Sequence, residues 1–186
     1  RPVPVGRLGE PQPGADAALS LHVFDTQVRV AKQAGERNMD LPVLYEGLGL
    51  CRIDSCQEMI THLLIHLPQG KCASAFERLS QRGTLTLPVV NTAVSLCLDR
   101  GTGQIRKARV VVGPVSSTPF EAVKAEVVLV GAEPTLDVFK RAGETAAEES
   151  QPRASRLRGG REYRKNMVAV MVKRALIRSL DRCKVV

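Results

Sequence analysis

The second half of this sequence predicts an α+β fold, in which an antiparallel sheet of about three strands packs against helices. Three observations carry that prediction. The segments 76–79, 89–98 and 104–112 read as strands, the last two rich in Val and other apolar residues. The last two are joined by Asp99, Arg100, Gly101, Thr102 and Gly103, the clearest hairpin turn in the chain. Two segments with helical spacing, 134–149 and 162–183, then close the sequence, so a strand meander is followed by helices able to cover one of its faces.

The earlier elements follow in order. Residues 1–13 are rich in Pro and Gly, and the chain opens on Arg1, as a fragment would. Asp16 stands before Ala17, Ala18, Leu19, Leu21 and Val23 and reads as the N-cap of a short helix. In 27–31, Val28 and Val30 alternate with Gln27 and Arg29, the pattern of a half-buried strand. Ala34, Gly35 and Glu36 form a turn, 37–43 is the returning strand of a hairpin, and Gly47 and Gly49 mark a loop.

Segment 58–67 fits two structures. Ile60, Leu63, Leu64 and Leu67 suit a helix, whereas the β-branched content and the stop at Pro68 suit a strand. On a helix His62 and His66 would share a face; on a strand their Cα atoms lie roughly 13 Å apart. No third ligand stands nearby, so no metal site is expected. Further on, Ser116 to Pro119 reads as a cap with Pro119 in the first helical turn, before a helical segment 121–130. Residues 151–160 form a basic loop, and the final helix is apolar on most sides over 167–172, so it must be largely enclosed.

Composition narrows the function. With 186 residues, 44% of them hydrophobic, the chain can bury one sizeable core or two modest ones. Its apolar stretches are far shorter than the roughly 20 residues of a membrane-crossing helix, and no leader pattern opens it, so a cytoplasmic protein is expected. The net charge of +8 admits an acidic partner, but without Trp, and with two Tyr and four Phe, the chain lacks the stacking platforms of single-strand nucleic-acid binders. Cys51, Cys56, Cys72, Cys97 and Cys183 show none of the paired spacings of zinc or iron–sulfur ligation; reduced structural thiols are expected, with a disulfide or reactive thiol as the alternative. Nucleophile-elbow and phosphate-loop motifs are absent, and Gly101-Thr-Gly103 reads as a hairpin turn, so no catalytic side chain is assigned.

A family resemblance adds to this. Phe76-Glu-Arg-Leu-Ser-Gln-Arg82, Leu87-Pro-Val-Val-Asn-Thr-Ala-Val-Ser-Leu96 and Ala108-Arg-Val-Val-Val-Gly-Pro-Val115 are similar to the opening of the C-terminal domain of carbon monoxide dehydrogenase flavoproteins. Ser117-Thr-Pro119, Glu121-Ala-Val-Lys-Ala-Glu126 and Arg158-Gly-Gly-Arg-Glu-Tyr-Arg164 continue the match in order. Residues 1–75 resemble the second lobe of the FAD-binding domain that precedes it, through Val5-Gly-Arg-Leu-Gly-Glu-Pro-Gln-Pro-Gly-Ala-Asp16 and Glu58-Met-Ile-Thr61. The resemblance therefore implies a partial FAD-binding lobe over 1–75, its first lobe lying outside the sequence, and a C-terminal domain over 76–186.

It also implies the FAD-binding, electron-transferring subunit of a molybdenum hydroxylase of the xanthine and carbon monoxide dehydrogenase type. Molybdopterin and [2Fe-2S] clusters would belong to partner subunits, a large and a small one, and electrons would pass through the flavin to NAD or another acceptor. Gly6 would approach the phosphate-bearing chain of FAD, Asp16 would hydrogen-bond it, Ile60 would pack near the isoalloxazine, and Arg78 would stand for the usual Lys. The simpler readings are a turn glycine, an N-cap, a core side chain and a solvated cation. Arg7 and Gln12 replace the family's Asn and Ser or Thr, Glu77 neighbours Arg78, and 58–68 is about two residues long for the family. These departures open the alternative of a non-catalytic assembly module that keeps the fold and has lost flavin. Arg153, Arg156, Arg158, Arg161, Arg164 and Lys165 crowd the final loop and helix start as a partner-docking or simply solvated basic face.

Overall fold

The computed structural model describes residues 14–47, 49–82 and 86–185. Its first part holds helix α1 (Asp16–His22), the hairpin β1 (Gln27–Lys32) and β2 (Gly35–Asp40), a 3-10 turn over Leu41–Leu44, the short strands β3 (Tyr45–Gly47) and β4 (Leu50–Cys51), and β5 (Glu58–Leu64). β1 is central in the order β2-β1-β5, with both neighbours antiparallel. Val28 and Val30 are buried, as their alternation predicts, and enclose a small core with Ala18, Leu41, Leu44 and Tyr45. Gly35, at φ 134°, closes the hairpin in a conformation that side-chain-bearing residues rarely adopt.

Segment 58–67 is thereby resolved. β5 supplies the second edge of β1, whose N–H and C=O groups would otherwise lack partners on that side, and tertiary pairing outweighs the helical spacing of the leucines.

The second part contains β6 (Lys71–Leu79), β7 (Val90–Leu98), β8 (Ile105–Gly113), β9 (Phe120–Glu121), α2 (Val123–Leu129), α3 (Leu136–Glu149) and α4 (Arg161–Cys183). The antiparallel sheet runs β6-β7-β8-β9, so it has four strands where about three are expected. The addition corrects the placing of Pro119. Phe120 and Glu121 pair with Val112 and Val111, the helix begins only at Val123, and Pro119 precedes a strand. α3 starts behind Thr135, whose hydroxyl accepts from the Val138 N–H at 3.3 Å.

β7 explains why its sequence does not alternate, since every residue from Val90 to Cys97 is buried. One face, with Val90, Val94 and Leu96, lies in the main core with α3 and α4. On the other face Ala93 packs with Val111 against Leu19 and Val23 at α1. α1 thus joins the two parts, Ala18 entering the first core and Leu19 the junction. Full burial of each Val or Leu side chain here contributes roughly 1.5–3 kcal/mol, and of each Ala less.

The reduced-thiol expectation is corrected for one pair. Cys72 and Cys97 are register partners on β6 and β7, their Cα atoms 4.1 Å apart, and they form a disulfide. Cys51, Cys56 and Cys183 remain free thiols. Among the described residues no helix is long and apolar enough to cross a membrane.

Candidate functional site

The junction of α1 with β6 and β7 gathers the polar groups of interest. Asp16 is the first residue of α1 but not its cap; Ala15 holds the N-cap position without a side-chain bond. The Asp16 carboxylate faces the sheet instead. Arg78 Nη1 donates to its Oδ2, and Asn91 Nδ2 donates to its Oδ1 at 2.7 Å and to the Gly14 carbonyl at 3.0 Å. Arg78 and Asn91 are opposed in register on β6 and β7, so the sheet itself sets their spacing. Arg78 Nη2 donates to the Thr86 carbonyl. The reading of Arg78 as a solvated strand cation is therefore corrected, because it is ion-paired and doubly hydrogen-bonded.

Below this pair Asn91 is fully buried, and its Oδ1 has no partner among the described residues. Gly14 lies flat on Pro114, and a Cβ at that position would come within 3.2 Å of the proline ring. The Asp16 and Arg78 side chains stay 38% and 33% exposed, so the charged rim can be reached by a ligand. Asn91 is the residue that sequence reasoning missed. Its signal was a carboxamide inside the apolar run Val89-Val90-Asn91-Thr92-Ala93, where an unpartnered polar side chain is costly and so asks for a reason.

Of the four candidate binding residues, Asp16 and Arg78 are brought into direct contact. Ile60 is partly buried, lies across from Val30, and packs on the first core together with Ala15, the neighbour of Asp16. Gly6 lies outside the described residues, as do Arg7 and Gln12. His62 and His66 do not converge: His62 Nδ1 meets Thr61 Oγ1 at 3.1 Å, His66 Nδ1 meets the Asp25 carbonyl at 3.1 Å, and no metal-holding cluster occurs among the described residues.

A second polar network lies on the β8 side of α1. Arg109 reaches Asp25 at 2.9 Å, Glu121, and Glu126 at 3.6 Å, while Lys107 also pairs with Asp25. Burial disfavours the charge of Asp25, yet the Lys107 hydrogen bond and the Arg109 charge together hold its carboxyl below the usual range. Glu126 goes the other way, its pKa raised by burial against the opposing Val110 N–H and Arg109. His22 lies 3.4 Å from Glu121, and burial, helped by Arg109, pushes its pKa down to about 4.

The unfolded chain takes up a proton on the His22 ring from about pH 6.5 downwards and the folded chain does not, so its contribution is complete above pH 6.5 and is lost as pH falls to about 4. The loss is on the order of 3 kcal/mol. Denaturant titrations over that window are expected to show it, and His22→Gln should flatten the slope. A ring that titrates above pH 6.5 by NMR would contradict this assignment.

Residues 74–179, more than half of the chain, match the family model of the CO dehydrogenase flavoprotein C-terminal domain. The chain belongs to this family. The nicotinate dehydrogenase FAD-subunit of Eubacterium barkeri is 25% identical over 95% of the chain, and the carbon monoxide dehydrogenase medium chain of Afipia carboxidovorans is 27% identical over 96%. A solved structure of CO dehydrogenase from Oligotropha carboxidovorans superposes with a TM-score of 0.85 at 25% identity over 95% of the chain. The chain spans 60% of the length of each of these relatives. As a CO dehydrogenase flavoprotein C-terminal domain, the region from β6 into α4 has the α+β architecture anticipated from its strand meander and closing helices.

Proposed function

We propose that the chain is part of the FAD-binding, electron-transferring subunit of a molybdenum hydroxylase, with residues 1–75 as the second flavin-binding lobe and 76–186 as the C-terminal domain. The observation that carries this reading is the partly exposed Asp16–Arg78 pair seated on buried Asn91 at the α1, β6 and β7 junction, in a chain similar along 95% of its length to an FAD-subunit.

The residues present fit such a group. An ion pair already closed on itself is a weak magnet for free phosphate, but its partly exposed carboxylate accepts from hydroxyls and its guanidinium retains N–H donors for carbonyl or phosphate oxygens. A hydroxyl-rich, phosphate-linked chain presents that mixture of groups. Asp16 and Arg78 would hold it, and Gly6 and Ile60 would line the approach and the ring. When bound, the flavin supplies the redox chemistry, and the protein's task is to bind and orient it. In this reading iron–sulfur and molybdopterin subunits are the partners, and electrons leave the flavin for NAD or another acceptor.

Flavin fluorescence during FAD titration of the purified chain, and of the longest product of its coding region, tests the proposal. Saturable quenching is expected, with Arg78→Gln and Asp16→Asn each weakening affinity about tenfold, the effect of losing one charge-assisted hydrogen bond. Absence of flavin binding in both proteins would overturn it in favour of a non-catalytic assembly module.

A further inference from the structure

Arg164, one turn into α4, is 2% exposed and meets no carboxylate among the described residues. Three backbone carbonyls take its hydrogen bonds: Nε donates to Val89 at 3.3 Å, Nη1 to Arg153 and Nη2 to Pro114. Carbonyl dipoles solvate a guanidinium but do not cancel its charge, and burying a cation without a counter-ion is unfavourable. Arg164 also opens onto a cleft of about 170 Å³, many times the roughly 10–15 Å³ that one water needs.

The walls of this cleft add to the imbalance. Arg153 and Arg158 join Arg164, Ser116, Ser117 and Ser155 bring hydroxyls, and no acidic residue contributes among the described residues. Arg158 stands close enough to add to burial in lowering the Arg164 pKa, which marks a concentration of positive potential there. Neither Arg153 nor Arg158 has a carboxylate partner among the described residues, and the Ser116 and Ser117 side chains hold no hydrogen bond there. None of these residues belongs to the Asp16–Arg78–Asn91 cluster.

We infer that this cleft binds a small tetrahedral oxyanion of the phosphate class, Arg164 and Arg158 supplying charge and the serine hydroxyls completing the hydrogen bonds. The cleft is roomy enough for one phosphate group. An anion seated here would ground the charge of Arg164 and tie the basic loop to the segment after β8.

Calorimetric titration of the purified chain with inorganic phosphate, against sodium chloride at equal ionic strength, tests the site. Arg164 also anchors three carbonyls, so replacing it would test folding; the informative variants are Arg158→Gln, inside the cleft, and Arg156→Gln, on the same loop but outside it. Saturable phosphate binding is expected, weakened about tenfold by Arg158→Gln and unchanged by Arg156→Gln. Equal effects of the two variants, or heats no different from those of chloride, overturn the assignment and reduce the region to a diffuse basic surface. The outcome is independent of whether FAD binds.

Discussion

Gly143→Ala is expected to destabilise the chain by about 2–3 kcal/mol, although the same change in an exposed helix interior stabilises by about 1 kcal/mol. The reason is the contact between α3 and α4. Gly143 is buried on α3 at their interface, and an added Cβ would come within 2.5 Å of the Ala169 carbonyl oxygen. That obstacle is backbone, so no rotamer relieves it and the helices must move apart. Separation loosens the packing of Phe139, Ala142 and Ala146, all fully buried in the main core. Thermal or urea denaturation measures the effect. A variant with unchanged or raised Tm would show that α3 does not approach α4 this closely.

Arg109→Met should cost about 3 kcal/mol at neutral pH, because it leaves a cluster of carboxylates without the cation that bridges them. Asp25 would retain Lys107 and Glu126 would retain the Val110 N–H at 2.9 Å, but Glu121 would lose its ion-pairing arginine. The methionine keeps most of the apolar volume, so the loss is mainly electrostatic. Its pH dependence follows from the folded-state shifts. Asp25, whose pKa is lowered with help from Arg109, contributes stability that disappears as pH falls, and that contribution shrinks in the variant. Glu126, already raised by burial, rises further without Arg109 and costs stability as pH increases through its folded value. Both effects make the variant's deficit smaller in acid. Denaturant titrations at neutral pH and near pH 4 are expected to show the gap narrowing; a gap that stays constant with pH would mean Arg109 acts through packing alone.

Much of the architecture was legible because it rests on local signals. The Asp99 to Gly103 turn encodes a hairpin through its own residues: the Asp99 carboxylate accepts from the Gly101 and Thr102 N–H groups at 2.9 and 2.8 Å. α3 and α4 announce themselves by periodicity over 14 and 23 residues. Segment 58–67 was not decidable in this way, since its spacing serves two structures and only the presence of β1 alongside selects the strand. Asp16 has the sequence signature of a cap without being one for a related reason. The short-range rule that places acidic residues at helix starts holds, but Arg78 lies 62 residues further on and offers the carboxylate a stronger partner.

By itself, the sequence determined the α+β class, the succession of a strand meander and then helices in the second part, and the family to which residues 74–179 belong. Those properties depend on neighbours a few positions apart and on the order of short motifs. The tertiary structure alone decided that Arg78 meets Asp16 over a buried Asn91, that Cys72 bonds Cys97 across paired strands, that Arg109 gathers Asp25, Glu121 and Glu126, and that Arg164 is buried without a carboxylate partner among the described residues. Each joins residues separated along the chain, and electrostatic strength depends on distance and burial, which exist only once the sheet has fixed its register and the helices have closed over it.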